Sequence, residues 1–194
     1  MPGRRLPMPW AMKPPRPLPI PEYVRKVRTA VRVALPGLDL LEGFISLAPR
    51  AEHHDGPQTI LERLNGPDRF VPIQRSGERD VMLVNPLDIE SVEPLGNVPL
   101  TLVLPPAFRI THEERVRVRF MSGRQVEGVL RFELPDELNR VSDFLNADED
   151  FFALHLAHGT LLVNKRRISL TRLYEASPRP ARGERSAPAT GTDD

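Results

Sequence analysis

The sequence predicts a mainly β protein made of two tandem, small five-stranded barrels, each with one short helical turn, between disordered termini. Three observations lead to this fold class. The 194-residue chain carries one pattern of residues twice, apolar residues alternate with polar ones over short stretches, and glycine and asparagine recur at matched places in both copies. Internal repetition combined with a period of two is typical of a duplicated β module.

The repeat begins where Val31 aligns with Val116, and it runs without a gap to Leu47 and Phe132. After length differences of four and then two residues, the later blocks align again. These differences fall between the matched blocks, where surface loops vary most readily. The structural repeat positions pair Gly43 with Gly128, Asn65 with Asn146, Phe70 with Phe151, and Asn85 with Asn164.

The first strand of each copy follows from alternation. In the second copy, apolar residues at 116, 118 and 120 alternate with Arg115, Arg117 and Arg119, so one face of the strand is predicted to be buried. A three-residue hairpin loop at 122–124, with its glycine in the left-handed region, would place Phe120 opposite Val126 and Arg119 opposite Glu127. The mid-strand glycines, Gly43 and Gly128, should let a bent strand pass close to its neighbour.

A helical turn is predicted next, near residues 59–65 and again near 141–146. Thr59 and Ser142 are the expected N-caps, because a side-chain oxygen there accepts a free backbone N–H. Asn65 and Asn146 are expected to end these turns. A ligand-binding role for the two asparagines is the alternative.

Two further strands follow in each copy, predicted in the second copy at 151–156 and 160–164, and the last strand begins at Ile168. Phe70 and Phe151 are expected in equivalent core positions. Asn85 and Asn164 each begin a tight connection, a place that suits asparagine's local hydrogen bonds and its tolerance of left-handed backbone.

The predicted domain boundaries follow the repeat and the prolines. The segment between the barrels is apolar and contains three prolines at 99, 105 and 106, so it should pack on the barrels as an extended linker. The chain divides into a proline-rich basic arm (1–28), a first module (29–95), the linker (96–112), a second module (113–175) and a disordered tail (176–194).

Charge is distributed unevenly along the chain. Residues 1–28 hold seven basic residues against one acidic residue, a net charge of +6, whereas the modules carry −5 and −1. A barrel that binds phosphate normally has a basic balance, and here only the arm has one. The arm also contains eight prolines up to Pro21, the only tryptophan, Trp10, and Arg16 within a proline run, which favours a polyproline II segment that docks on a partner or remains a disordered leader.

The second copy resembles the Sm-like family of small SH3-like barrels. The resemblance rests on a hairpin with glycine in its turn, a second glycine at Gly128, and the run Ser142-Asp143-Phe144-Leu145-Asn146. The copy is also similar to uncharacterised bacterial domains with the pattern Val-x-Val, Glu-Gly, Asp-Phe-Leu-Asn, Leu-Val-Asn-Lys. By this resemblance Asp143 and Asn146 would line a nucleotide pocket, although the family's Arg-Gly pair is replaced by Leu-Val-Asn-Lys.

Two further sets of side chains are candidate sites. Arg115, Arg117 and Arg119 form a basic stripe that could hold phosphate, or could simply pair with nearby glutamates as a solvated face. His53 and His54 invite a metal interpretation, but no further ligand pair has the spacing of a known zinc motif. An exposed loop is the plainer interpretation of the two histidines.

The sequence offers no complete catalytic, cofactor or metal motif, so we expect a protein that is not an enzyme and needs no cofactor. Cysteine is absent, which removes disulfides, thiolate zinc sites and cysteine nucleophiles. No apolar run approaches the ~18 residues of a membrane span. We therefore expect a cytoplasmic protein that does not bind membranes.

Three function hypotheses remain open. The leading one is a non-enzymatic protein-interaction or scaffold protein whose arm docks on a protein partner. The second is RNA or DNA binding through the arm and the arginines of the second copy. The third is a small-ligand or nucleotide sensor that uses the cleft between the modules.

Overall fold

The computed structural model describes residues 26–78, 80–106, 110, 112–133 and 140–174. Strands dominate the described part of the chain, so the prediction of a mainly β protein is confirmed. Trp10, Arg16, the rest of the arm before residue 26 and the tail after residue 174 lie outside the described residues. The strands are β1 (Val27–Ala34), β2 (Leu41–Leu47), β3 (Val71–Arg75), β4 (Val81–Val84), β5 (Ser91–Pro94), β6 (His112–Phe120), β7 (Gln125–Phe132), β8 (Phe151–Leu156), β9 (Gly159–Asn164) and β10 (Ile168–Leu173). Three short helices, α1 (Ile60–Leu64), α2 (Leu100–Val103) and α3 (Val141–Leu145), and two 3-10 turns, Pro86–Asp88 and Lys165–Arg167, complete the described elements.

All ten strands belong to one antiparallel sheet with the order β10-β6-β7-β8-β9-β5-β1-β2-β3-β4. The hydrogen-bonded ladder is open, with β10 at one edge and β4 at the other. The strand pairing of the described residues therefore does not form two separately closed barrels. The first half of the sheet, β1 to β5, joins the second half, β6 to β10, where β5 pairs with β9.

The two halves use their strands in the same order and in the same register. In the first half the order is β5-β1-β2-β3-β4, and in the second it is β10-β6-β7-β8-β9. Val31 lies opposite Gly43 just as Val116 lies opposite Gly128. Both pairs sit at the positions that the sequence alignment matches.

The β6–β7 hairpin differs from its predicted register. Gly123 has the expected left-handed backbone, with φ at 89°, but the loop is one residue longer than predicted and includes Met121. Arg117 therefore lies opposite Glu127, and Val118 opposite Val126. Because the observed register differs from the predicted one by two residues, each side chain stays on its predicted face.

The mid-strand glycines lie where neighbouring strands approach closely. A Cβ atom on Gly43 would be 2.5 Å from the carbonyl oxygen of Gln74, and one on Gly128 would be 2.7 Å from that of His155. Any side chain at either position would collide with the backbone of the next strand. Both glycines thus permit the close packing of β2 on β3 and of β7 on β8.

Helix α1 begins at the cap that the sequence predicts, whereas α3 does not. The Thr59 hydroxyl accepts the Glu62 N–H at 3.2 Å, and the Glu62 carboxylate accepts the Thr59 N–H at 2.8 Å. For α3 the prediction of Ser142 as the cap was wrong. The N-cap is Arg140, two residues earlier, whose N–H donates to the Asp143 carboxylate at 3.3 Å.

The linker is not extended as predicted but contains helix α2, which begins after Pro99. Proline is tolerated at a helix start because its missing N–H would have had no partner there, and the next prolines follow the helix end. Val103 of α2 is only 3 % exposed and packs in the core of the first half. The linker therefore covers part of that core, while residues 107–109 and 111 lie outside the described residues.

Each half of the sheet has a buried apolar cluster, and the two clusters meet at the junction. The cluster of the second half includes Val116, Val118, Phe120, Leu130, Phe132, Val141, Phe152, Leu154, Leu161 and Val163. The cluster of the first half contains two residues from the second half, Phe151 and Leu162. Among the described helices, none has the length and apolar character needed to cross a membrane.

Candidate protein interface

The junction between the halves is a short strand pairing reinforced by side chains. Ser91 and Val92 of β5 lie opposite Val163 and Leu162 of β9. The Asn164 N–H donates to the Glu90 carbonyl at 3.0 Å and extends the ladder by one bond. Because only a few backbone bonds join the halves, the surrounding side chains supply much of the contact.

Asn65 makes a two-point contact with the opposite half. Its amide nitrogen donates to the Phe151 carbonyl at 3.0 Å, and its amide oxygen accepts the Phe151 N–H at 2.7 Å. This pairing satisfies both backbone groups where β8 begins. Sequence reasoning assigned Asn65 the helix end, where it does lie as the C-cap of α1, but it missed the contact across the junction.

Asn164 acts in the same way from the second half. Its buried amide nitrogen donates to the carbonyl oxygens of Pro86 and Ile89, at 3.1 and 2.9 Å. Its amide oxygen accepts the Arg166 N–H, as that of Asn85 accepts the Leu87 N–H. Neither asparagine has left-handed backbone, so local hydrogen bonding alone explains the residue at these turns.

Charged groups also cross the junction. Glu90 is almost fully buried, accepts the Ser122 N–H at 3.3 Å and lies 3.6 Å from the Arg124 guanidinium. Arg167 donates to the Leu87 carbonyl at 2.7 Å and pairs with Asp88. The hairpin of the second half is thereby fixed to the start of β5 in the first.

Apolar side chains of the second half fill the core of the first half at this junction. Phe151 is 2 % exposed and Leu162 is fully buried. Burying side chains of this size stabilises a protein by about 1.5–3 kcal/mol each. The junction is therefore part of a hydrophobic core and not only a surface contact.

The corresponding residues of the first half face solvent. Phe70, which aligns with Phe151, is 55 % exposed, and Leu83, which aligns with Leu162, is 67 % exposed. The prediction that Phe70 is a core residue was wrong, because Phe151 is covered by the other half while no described residue covers Phe70 in that way. Val81 and Met82 complete an exposed apolar edge along β4.

The other edge of the sheet, β10, is apolar and basic. Leu170 and Leu173 are exposed. Ser91 of β5, which aligns with Leu170, is buried at the junction. Beside Leu170, a shallow depression is lined by Arg117, Arg119 and Arg172. The two sheet edges thus differ, one being apolar and the other carrying a cluster of arginines.

The arginine stripe on β6 is partly paired, in agreement with the solvated-face interpretation. Arg117 donates to the Glu127 carboxylate at 2.6 Å, which raises the pKa of Arg117 and lowers that of Glu127. Arg115 lies 3.7 Å from the same carboxylate. Among the described residues, Arg119 has no ion-pair partner.

A cleft lies between the loop after α1 and the loop before β8. Phe70, Asn85 and Leu87 line it together with Asp148, Glu149 and Asp150. Its volume of about 580 Å³ would admit a small ligand, but the cleft is wide, and Asp150 pairs with Arg166. Its place between the two halves corresponds to the cleft of the small-ligand hypothesis.

In the described part of the chain, the histidines are not grouped with other potential metal ligands. No group of three or more His, Asp or Glu side chains in the described part of the chain could hold a metal ion. His54 instead donates towards the Asp55 carbonyl and the Glu62 carboxylate, at 3.0 and 3.1 Å, and both acceptors raise the pKa of His54. Burial would raise the pKa of Glu62, but its bonds with Thr59 and His54 hold it below the ordinary value.

The residues named by the Sm-like resemblance lie near α3. Asp143 bonds the N-cap backbone, Asn146 is the exposed C-cap, and neither contacts a described cleft. The Lys165 ammonium donates to the Phe144 carbonyl at 2.8 Å and lies over the Phe144 ring, and burial lowers its pKa. Lys165 thus caps the C-terminal end of α3.

The exposed β4 edge is the feature that the sequence analysis missed. The run from Val81 to Val84 lacks the polar alternation that a half-exposed strand should have, and this was a visible indication. The chain matches no protein-family model, no curated protein and no solved structure. Evidence for a function therefore comes from the geometry of this chain alone.

Proposed function

We propose that this chain is a non-enzymatic protein-interaction or scaffold protein, built from two copies of a small Sm-like barrel and acting in the cytoplasm. The observation that supports this function is the open, apolar β4 edge. Proteins usually protect such edges, because unpaired backbone groups beside apolar side chains recruit another strand. An extended segment that adds to the sheet would gain backbone hydrogen bonds from the edge and specificity from the side chains.

The proposal predicts a protein partner that depends on β4. The full chain would be used as bait in native lysate, with and without nuclease, beside Leu83→Glu and the control Leu100→Glu. Leu83 and Leu100 are both exposed, at 67 % and 58 %, so neither charge should unfold the protein. We expect a partner that survives nuclease, binds the control and is lost with Leu83→Glu.

A partner lost on nuclease treatment would contradict the proposal and favour nucleic acid. The observation favouring that second candidate is the depression formed by Arg117, Arg119 and Arg172, where Arg119 has no ion-pair partner among the described residues. Three phosphate contacts on single-stranded RNA would make the affinity fall about 20-fold between ~50 and ~200 mM salt. Removing one of these arginines should then reduce the slope of log K against log salt by about 0.7.

A further inference from the structure

We propose that the partner of the β4 edge is a second copy of this chain, which adds its β10 edge head to tail. This inference rests on the proposed function, since it names the partner of the same edge. It is carried by the internal junction, which already displays this contact once: β5 of one half pairs with β9 of the other. The strands equivalent to β9 and β5 at the free ends are β4 and β10.

The register of the new contact follows from the internal one. At the junction, Ser91 lies opposite Val163 and Val92 opposite Leu162. The aligned residues are Leu170 and Thr171 on β10, and Val84 and Leu83 on β4. The second copy should therefore place Leu170 opposite Val84 and Thr171 opposite Leu83.

The exposed apolar residues are those that such a contact would cover. Phe151 and Leu162 are buried at the junction, while their counterparts Phe70 and Leu83 are more than half exposed. On the receiving edge, Leu170 is 45 % exposed. The first half therefore already presents the apolar residues that the contact would bury. Within the described part of a single chain, no second half lies against them to cover them.

The side-chain hydrogen bonds of the junction also have free counterparts. Asn65 holds the Phe151 backbone, and the aligned Asn146 is exposed at the end of α3, with no side-chain partner among the described residues. Asn164 donates to two carbonyls of the opposite half, while the amide nitrogen of Asn85 donates to no described residue. Asn146 of one copy would hold the Phe70 backbone of the next.

This contact is heterologous, because two different edges meet. Repetition of such a contact gives a closed ring if the rotation between copies closes, and a filament if it does not. Either product has a mass that is a whole multiple of the 21.9 kDa chain.

The test is the mass of the full chain in solution, by light scattering over a concentration series, for wild type and two edge variants. Leu83→Glu blocks β4 and Leu170→Glu blocks β10, and both side chains are exposed. We expect wild type above 21.9 kDa and each variant at 21.9 kDa. Leu100→Glu, which lies on neither edge, should behave like wild type.

Mixing the two edge variants provides the decisive result. Each retains one intact edge, so the mixture should form a dimer and nothing larger. Leu170→Glu forming a dimer alone would mean that two β4 edges pair symmetrically, and would overturn the proposal. If circular dichroism shows that an edge variant is unfolded, Val81→Glu or Leu173→Glu replaces it.

Wild type at 21.9 kDa at every concentration would also overturn self-association. In that case a nuclease-resistant partner of different mass that is lost with Leu83→Glu would leave the proposed function standing. If neither self-association nor such a partner depends on Leu83, the proposed function fails too.

Discussion

Phe70 and Phe151 show how far one residue's environment depends on what lies beyond its own module. Each follows a helix-ending asparagine by five residues; Phe151 begins β8, and Phe70 directly precedes β3. Phe151 is buried in a core to which both halves contribute, while Phe70 is 55 % exposed. The difference in their burial therefore comes from the residues packed around them and not from the local sequence.

Phe151→Ala should lower the free energy of unfolding by about 3–5 kcal/mol, because it leaves a cavity in the shared core. Phe70→Ala should cost less than about 1 kcal/mol, since its ring is already largely in water. Urea denaturation at low protein concentration measures both. Equal losses for the two variants would show that the burial assigned to Phe151 is wrong.

The His54 and Glu62 pair should make stability depend on pH. The raised pKa of His54 means that its stabilisation is complete below the ordinary value of 6.5 and is lost as pH rises through the folded value. The lowered pKa of Glu62 means that its stabilisation is complete above 4.5 and is lost as pH falls through the folded value. The pair therefore contributes most between 4.5 and 6.5.

His54→Gln should accordingly lower the melting temperature more at about pH 5.5 than at about pH 8.5, where the wild-type histidine has lost its proton. His53→Gln is the matched control, because the His53 side chain is 85 % exposed. A loss of the same size at both pH values would mean that the charge of His54 does not contribute.

At the scale of elements, the junction depends on how the end of α1 meets the start of β8. Strand pairing there is short, and Asn65 supplies two hydrogen bonds that the ladder does not. The aligned Asn146 ends α3 in the same way but contacts no other half. Asn65 therefore stabilises the contact between the halves, whereas Asn146, at the aligned position, does not.

Asn65→Ala should destabilise the protein by about 1–3 kcal/mol, because it leaves the Phe151 N–H and carbonyl without partners in a partly buried place. Asn146→Ala should cost only a few tenths of a kcal/mol, as an exposed helix end does. Both values come from urea denaturation at low protein concentration. A larger loss for Asn146→Ala would contradict the assignment of Asn65 as the residue that joins the halves.

At the scale of the whole molecule, the shared core couples the halves. Phe151 and Leu162 come from one half and are buried in the core of the other. Unfolding of the second half would therefore expose the core of the first, so we expect a single cooperative transition in calorimetry. Two separate transitions would show that the junction contributes little to stability.

Deletion of residues 1–21 should leave this transition unchanged, because none of the positions repeated between the two halves lies in that segment. The melting temperature of the shortened chain, compared with that of the full chain, checks the expectation. A lower melting temperature would instead mean that the arm docks on the folded part. Trp10, the only tryptophan, would then fluoresce at shorter wavelength in the full chain than in water.

The sequence by itself determined the strands and the positions that match between the halves. Period two identified β6, and the repeat aligned Val31 with Val116 and Gly43 with Gly128, because alternation and close backbone approach are local requirements that each residue must meet. It missed the cap of α3, since arginine is not a usual N-cap residue, and it missed the helix in the linker, since three prolines in that segment favoured an extended chain.

Tertiary structure alone decided which copies of these residues are buried. Local sequence treats Phe70 and Phe151 alike, and likewise Leu83 and Leu162. The pairing of β5 with β9 covers one member of each pair and leaves the other in solvent. Burial depends on long-range contacts that bring distant strands together. The run from Val81 to Val84 is apolar in the sequence, but its place at an open edge of the sheet is known only once the strand order is known.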